Sequence, residues 1–93
     1  MVELTFEWNE QKETENLKKH GISFQEAKTV FNDPLAVTSS DSLHSIDEER
    51  FIDLGLSSQG RLLIVVYTER QQNIRIISCR KATNKERNFY EKQ

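Results

Sequence analysis

Apolar and polar residues alternate at the start of the chain. Val2, Leu4, Phe6 and Trp8 fall on one side, with Glu3, Thr5 and Glu7 on the other, which predicts a short half-buried strand. Asn9 then reads as a helix N-cap, with Glu10 and Glu13 in the favourable first turn. The helix it opens runs to about Lys19 and is strongly polar. Leu17 is its one large apolar residue, so it is expected to lie on the surface. Lys18, Lys19 and His20 complement the helix dipole at its end, and Gly21 suits a left-handed cap. Ser23-Phe24-Gln25-Glu26 is a capping box, and Phe24, Ala27, Val30 and Phe31 recur at helical spacing until Asn32-Asp33-Pro34 stops the second helix.

The rest of the chain reads mostly as strand. Leu35–Val37 begins one, and the polar stretch Thr38–Asp47 reads as a loop or ragged hairpin. Ser45–Glu48 also matches a capping box, but the strand-like residues after it argue against a helix there. Arg50–Ser57, Arg61–Thr68 and Asn73–Arg80 are three strands, separated by Ser58-Gln59-Gly60 and by Glu69–Gln72. Strict alternation puts Ile52, Leu54, Leu56, Leu62, Ile64, Val66, Ile74 and Ile76 on one face. Leu63, Val65, Tyr67, Ile77 and Cys79 then fall on the other. Both faces are therefore partly covered. Thr83-Asn84-Lys85-Glu86 caps a last helix ending near Tyr90, with Phe89 expected as its anchor. The predicted fold is α+β. A small antiparallel sheet has a meander of three to four main strands plus a short N-terminal strand. Two N-terminal helices and one C-terminal helix pack on it. Residues 1–93 are expected to form one domain, with a modest core at that length.

Composition narrows the class. The net charge of −2 hides an imbalance: residues 1–58 hold 5 Lys/Arg and 12 Asp/Glu, whereas residues 59–93 hold 8 and 3. Five of the six arginines, Arg61, Arg70, Arg75, Arg80 and Arg87, lie in the basic segment. Such a segment can face a phosphate backbone or an acidic protein. No run of 18 apolar residues is present, and the N-terminus lacks the basic and apolar regions of a signal peptide. Cys79 is the only cysteine, so an intramolecular disulfide is impossible and a cytoplasmic location is expected. Two histidines without a cysteine cluster, and three scattered glycines, predict no metal and no cofactor.

An ordered set of motifs then points to one family. The set opens with Phe6-Glu7-Trp8-Asn9, Asn16-Leu17-x-Lys19-His20-Gly21-Ile22-x-Phe24 and Ala27-x-x-Val30-Phe31-x-Asp33-Pro34. Asp41-x-x-His44-Ser45-x-x-Glu48-Glu49-Arg50-Phe51 follows. Then come Val65-Val66-Tyr67-Thr68-x-Arg70, Arg75-Ile76-Ile77-Ser78-x-Arg80-x-Ala82 and Glu86-Arg87-x-x-Tyr90. The chain resembles the BrnT toxins of bacterial type II toxin–antitoxin systems over nearly its whole length. The resemblance implies a RelE-like fold and metal-independent ribonuclease activity. It also implies neutralisation by a BrnA-type ribbon-helix-helix antitoxin, through which the complex would reach operator DNA.

Cleaving RNA without a metal needs a base for the 2′-OH, an acid for the departing 5′-oxygen and cations for the phosphorane-like transition state. Arg80 is the first candidate, at a strand end beside Lys81 and just before a helix N-terminus; the alternative is an ion pair with Glu86. Lys19 could neutralise a phosphate and His20 could contact RNA, although helix-dipole complementarity alone accounts for both. His44 could be the general acid and Glu49 the base, with Asp41 orienting the imidazole; the alternative is a turn bonded to its own backbone. Arg61, Tyr67 and Arg75 share strand parity, so alternation could bring them to one sheet face. Tyr67 could stack on a base or simply pack with Leu63 and Val65. Arg70, Arg75 and Lys81 complete the candidate RNA contacts. Two other readings compete: a catalytically inactive module that only binds an antitoxin, and a DNA-binding regulator. No helix carries the basic exposed face the last would need.

Overall fold

Local capping signals place all three helices. A computed structural model describes residues 3–93; Val2 of the opening alternation lies outside them. β1 (Thr5–Glu7) leads to α1 (Glu10–His20), where the Asn9 side chain accepts from the Lys12 amide. Gly21, at φ +70°, closes α1 by donating its amide to the Leu17 carbonyl. Ser23 caps α2 (Phe24–Lys28), which tightens into a 3₁₀ turn at Thr29–Asn32. Then come β2 (Val37–Ser40), a 3₁₀ turn at Ser42–His44, β3 (Arg50–Leu56), β4 (Leu62–Arg70) and β5 (Asn73–Lys81). The reciprocal Thr83–Glu86 capping box opens α3 (Asn84–Glu91).

The five strands form one sheet in the order β1-β5-β4-β3-β2. β2 to β5 are antiparallel neighbours, and β1 lies parallel to β5 at the far edge, so the sheet is mixed within an α+β fold. α1 and α2 lie on one face. Ile22, Phe24, Ala27 and Val30 pack there on Leu63, Val65, Tyr67, Ile74, Ile76 and Cys79. α3 lies on the other face, where Tyr90 packs over Leu54, Leu62 and Ile64.

That core corrects the strict alternation predicted for β5. Val66 is opposite Ser78, yet Tyr67 is opposite Ile76, so Ile77 is an extra residue in β5. A β-bulge of this kind shifts side-chain parity by one. Ile74 and Ile76 therefore join Leu63, Val65 and Tyr67 under the N-terminal helices, while Arg75 turns to the opposite face. The expected anchor of α3 also changes. Phe89 is 59% exposed, whereas Tyr90 is seated and donates its hydroxyl to Asp33 Oδ2 at 2.6 Å. Asp33, with burial, pushes the Tyr90 hydroxyl up to about 12.

α1 is held by a polar clasp. β1 pairs only with Asn73–Arg75, so it does not reach Cys79. The buried Asn16 amide takes the place of a strand there. Its Nδ2 donates to the carbonyls of Cys79 (3.0 Å) and Ile22 (3.2 Å), and its Oδ1 accepts from the Cys79 amide at 3.1 Å. Cys79 is buried as expected, and burial pushes its thiol up to about 11.

Candidate functional site

The face that α3 covers is occupied only at one end of the sheet. At the β4–β5 hairpin end it carries a transverse row of polar side chains. Arg50 of β3 is opposite Thr68 of β4, and Thr68 is opposite Arg75 of β5. Arg75 in turn is opposite Glu7 of β1. Arg70 lies two residues beyond Thr68, on the same face by alternation.

The segment between β2 and β3 folds beside this row because it is tied to its own ends. The Asp41 amide donates to the Arg50 carbonyl at 2.8 Å. The Ser45 hydroxyl donates to the Asp41 carbonyl at 2.7 Å and accepts from the Arg50 amide at 2.9 Å. Those bonds use the hydroxyl that the sequence motif would have spent on a helix cap. They bring His44 to the row. Its Nδ1 lies 2.9 Å from an Asp41 carboxylate oxygen. An ionised carboxylate only accepts, so Nδ1 carries the proton and Nε2 is left as the open ring nitrogen.

Together these elements enclose a cleft of about 280 Å³. Lys12 of α1, Arg50, Arg70 and Arg75 supply four cationic side chains to its lining, and His44 and Thr68 line it too. Two carboxylates, Asp47 and Glu48, also line it, so the cleft is net positive in an acidic protein. Glu48 accepts from Arg70, with Nη2 at 2.9 Å, and Arg70 holds its carboxyl below the usual range. Glu7 accepts from Arg75 and Asn73, and these lower its pKa in the same way. Among the described residues, Lys12 and Arg50 form no ion pair.

Of the residues singled out from sequence, the cleft gathers His44, Arg70 and Arg75. Arg50, Lys12 and Thr68 join them without having been singled out. Parity hid Arg50 and Thr68, because their shared row depends on a register that a sequence does not display. Lys12 is one more charge on a helix whose sequence is polar throughout.

The other candidates lie elsewhere. Arg80 takes the alternative foreseen for it: Nη1 and Nη2 donate to the two Glu86 oxygens, each at 2.9 Å. Arg80 pushes the Glu86 carboxyl down to about 2 from its ordinary 4.5. A depressed carboxylate stabilises the fold above its unfolded pKa, and that contribution is lost as pH falls through the folded value. Melting temperature should therefore drop between pH 4.5 and about 2, and E86Q should flatten that part of the profile in a pH series of thermal scans.

Arg61, Tyr67 and Arg75 do not meet on one face: the bulge turns Arg75 to the α3 side, while Arg61 lies on the Tyr67 side and is tied to α2. Its Nε donates to the buried Glu26 carboxylate at 2.9 Å and holds that carboxyl below the usual range. Tyr67 is 4% exposed beneath the N-terminal helices, between Phe31 and Phe51, so its ring is closed to a stacking base. Its hydroxyl donates to the buried Asp53 at 2.8 Å, and burial pushes both groups upward in pKa. Glu49 is exposed outside the cleft and accepts from Ser40 Oγ at 3.1 Å. Lys19 and His20 end α1, and Lys81 is exposed at the end of β5; none of the three lines the cleft.

Three comparisons bear on this geometry. A family model described as the ribonuclease toxin BrnT of type II toxin–antitoxin systems matches residues 8–86. No curated protein matches the chain. Among solved structures, the 1.1 Å crystal structure of the ribonuclease toxin BrnT from Brucella abortus is similar, with a TM-score of 0.67. That match covers 88% of this chain and 100% of the other at 19% identity, which supports the fold.

Proposed function

The chain belongs to the BrnT family of ribonuclease toxins of type II toxin–antitoxin systems, and from that premise we propose that it is a metal-independent endoribonuclease whose active site is the hairpin-end cleft. One observation carries the assignment: four cations and a carboxylate-oriented imidazole line the same concavity. Cations there suit a phosphodiester and disfavour a divalent metal by repulsion. In the reaction, the ribose 2′-oxygen bonds to phosphorus as the P–O5′ bond breaks. His44 Nε2 takes the 2′-OH proton while water protonates the leaving 5′-oxygen or, when protonated, supplies a proton to that oxygen while water takes the one from the 2′-OH. Arg50, Arg70, Arg75 and Lys12 stabilise charge on the non-bridging oxygens. The products are a 2′,3′-cyclic phosphate and a 5′-hydroxyl. We place the protein in the cytoplasm and assign its antitoxin to the BrnA-type ribbon-helix-helix class, with operator DNA reached through that partner.

The deciding experiment incubates purified protein with single-stranded RNA in excess chelator. Cleavage to cyclic-phosphate ends is expected, and R75A should remove most of it. RNA left intact by folded wild-type protein at high concentration would leave the binding-only reading in its place.

Glu48 supplies a test in the opposite direction. Arg70 must exchange this carboxylate for a phosphate when RNA enters. E48Q removes the competitor and should tighten RNA binding several-fold at low salt, with the gain shrinking as salt rises. The salt dependence of binding should also become shallower by about 0.7 in log–log slope for each cleft cation replaced by alanine. Fluorescence anisotropy across a salt series reads both effects.

A further inference from the structure

Thr68 lines the cleft with its side-chain chemistry left unused. It is 4% exposed, and its Oγ1 is buried without a hydrogen-bond partner. It is the only such side-chain atom among the described residues. A buried orphan hydroxyl costs stability, and native proteins keep few of them without a reason. This one lines the cleft, in register between Arg50 on one neighbouring strand and Arg75 on the other. The same row holds a hydroxyl that can donate and two guanidiniums that can fork onto oxygens. A valine would fill the same space at no polar cost, so the hydroxyl is what needs explaining.

We propose that Thr68, flanked by Arg50 and Arg75, forms a phosphate-binding subsite in which the threonine hydroxyl donates to a non-bridging oxygen of a nucleic acid phosphodiester. Thr68 is then a positioning residue that fixes where the phosphate stands between the two arginines. The long, flexible arginine side chains are the movable part of the wall, and they admit the anion by turning from their resting positions. For Arg75, that means releasing Glu7. The subsite rests on the cleavage reading only for the identity of its natural ligand; its ability to hold a phosphodiester does not depend on catalysis.

The test uses a short single-stranded oligodeoxynucleotide, which lacks the 2′-OH and so cannot be cut by the proposed chemistry, with inorganic phosphate as competitor. T68V should bind the oligonucleotide about tenfold more weakly than wild type, the loss typical of one charge-assisted hydrogen bond. T68S should bind nearly as well as wild type. The melting temperature of T68V should stay level or rise, because the orphan hydroxyl is gone. A merely structural threonine would give a lower melting temperature and unchanged binding. Equal binding by T68V and wild type, or no oligonucleotide binding by wild type at low salt, overturns the subsite. Thr68-dependent binding by a protein that leaves RNA uncut would overturn the cleavage reading and leave the subsite standing. Conversely, undiminished RNA cleavage by T68V, with wild-type kcat/KM, would overturn the subsite alone.

Discussion

H44A lowers the rate of RNA cleavage by roughly 10²–10⁴-fold, the range set by losing a positioned proton donor or acceptor. His44 is exposed and sits in a short 3₁₀ turn, so its loss should leave the fold intact. The ties that shape its loop run through the Asp41 backbone and the Ser45 hydroxyl rather than through the imidazole. Circular dichroism and melting temperature should match wild type, and the defect should appear in kcat more than in binding. D41N should lose part of the same activity. An amide can turn its NH₂ toward Nδ1 and favour the other tautomer, which leaves Nε2 protonated at the wrong moment. Single-turnover kinetics on a defined RNA would read both variants. Cleavage by H44A at the wild-type rate would remove the imidazole from the mechanism and leave the arginines and Lys12 to act alone.

N16A should have the largest effect on stability. It orphans the Cys79 amide, the Cys79 carbonyl and the Ile22 carbonyl, in a region where Ile22 and Cys79 are almost wholly buried. Each buried group left unsatisfied costs about 1–3 kcal/mol, with water recovering some of it, so the total should be about 3 kcal/mol. For a domain of this size that corresponds to a melting temperature lower by roughly 12–24 °C. N16D offers a finer cut. A carboxylate can still accept from the Cys79 amide but cannot donate to either carbonyl, so it should recover little. Urea denaturation measures the loss, and faster hydrogen exchange at the Cys79 amide would locate it. A loss under about 1 kcal/mol for N16A would mean that the α1 clasp is dispensable.

The sequence was legible where short-range chemistry decides the outcome. Asn9, Gly21, Ser23 and the Thr83–Glu86 pair each mark a helix end because the signal lies within a few residues of its target. The three long strands were readable from their Ile and Val content and from Gly60 between two of them. Ile77 shows where that reading fails. An alternation written as a string has no place for an extra residue, so it sends Ile74 and Ile76 to the wrong face. Asn16 fails for a related reason: an amide on a polar helix looks solvated until an unpaired strand edge is put beside it. Within the site, the sequence points to two of the four cations, Arg70 and Arg75, and does not separate them from Arg61 and Arg80. Arg61 and Arg80 are tied to Glu26 and Glu86 away from the cleft, whereas Arg50, Arg70 and Arg75 line it together from three strands, the last two with Glu48 and Glu7 as partners. Only register separates those outcomes.

The extra residue at Ile77 also ties core burial to anion contact. A slip that absorbed Ile77 into a regular ladder would turn Ile74 and Ile76 toward the cleft and Arg75 into hydrocarbon. Deleting Ile77 outright would instead heal the ladder, leaving Ser78 opposite Val66, Ile76 opposite Tyr67 and Arg75 opposite Thr68. The apolar demand of the core therefore anchors the guanidinium of Arg75 in its row, and a shortened hairpin could keep both.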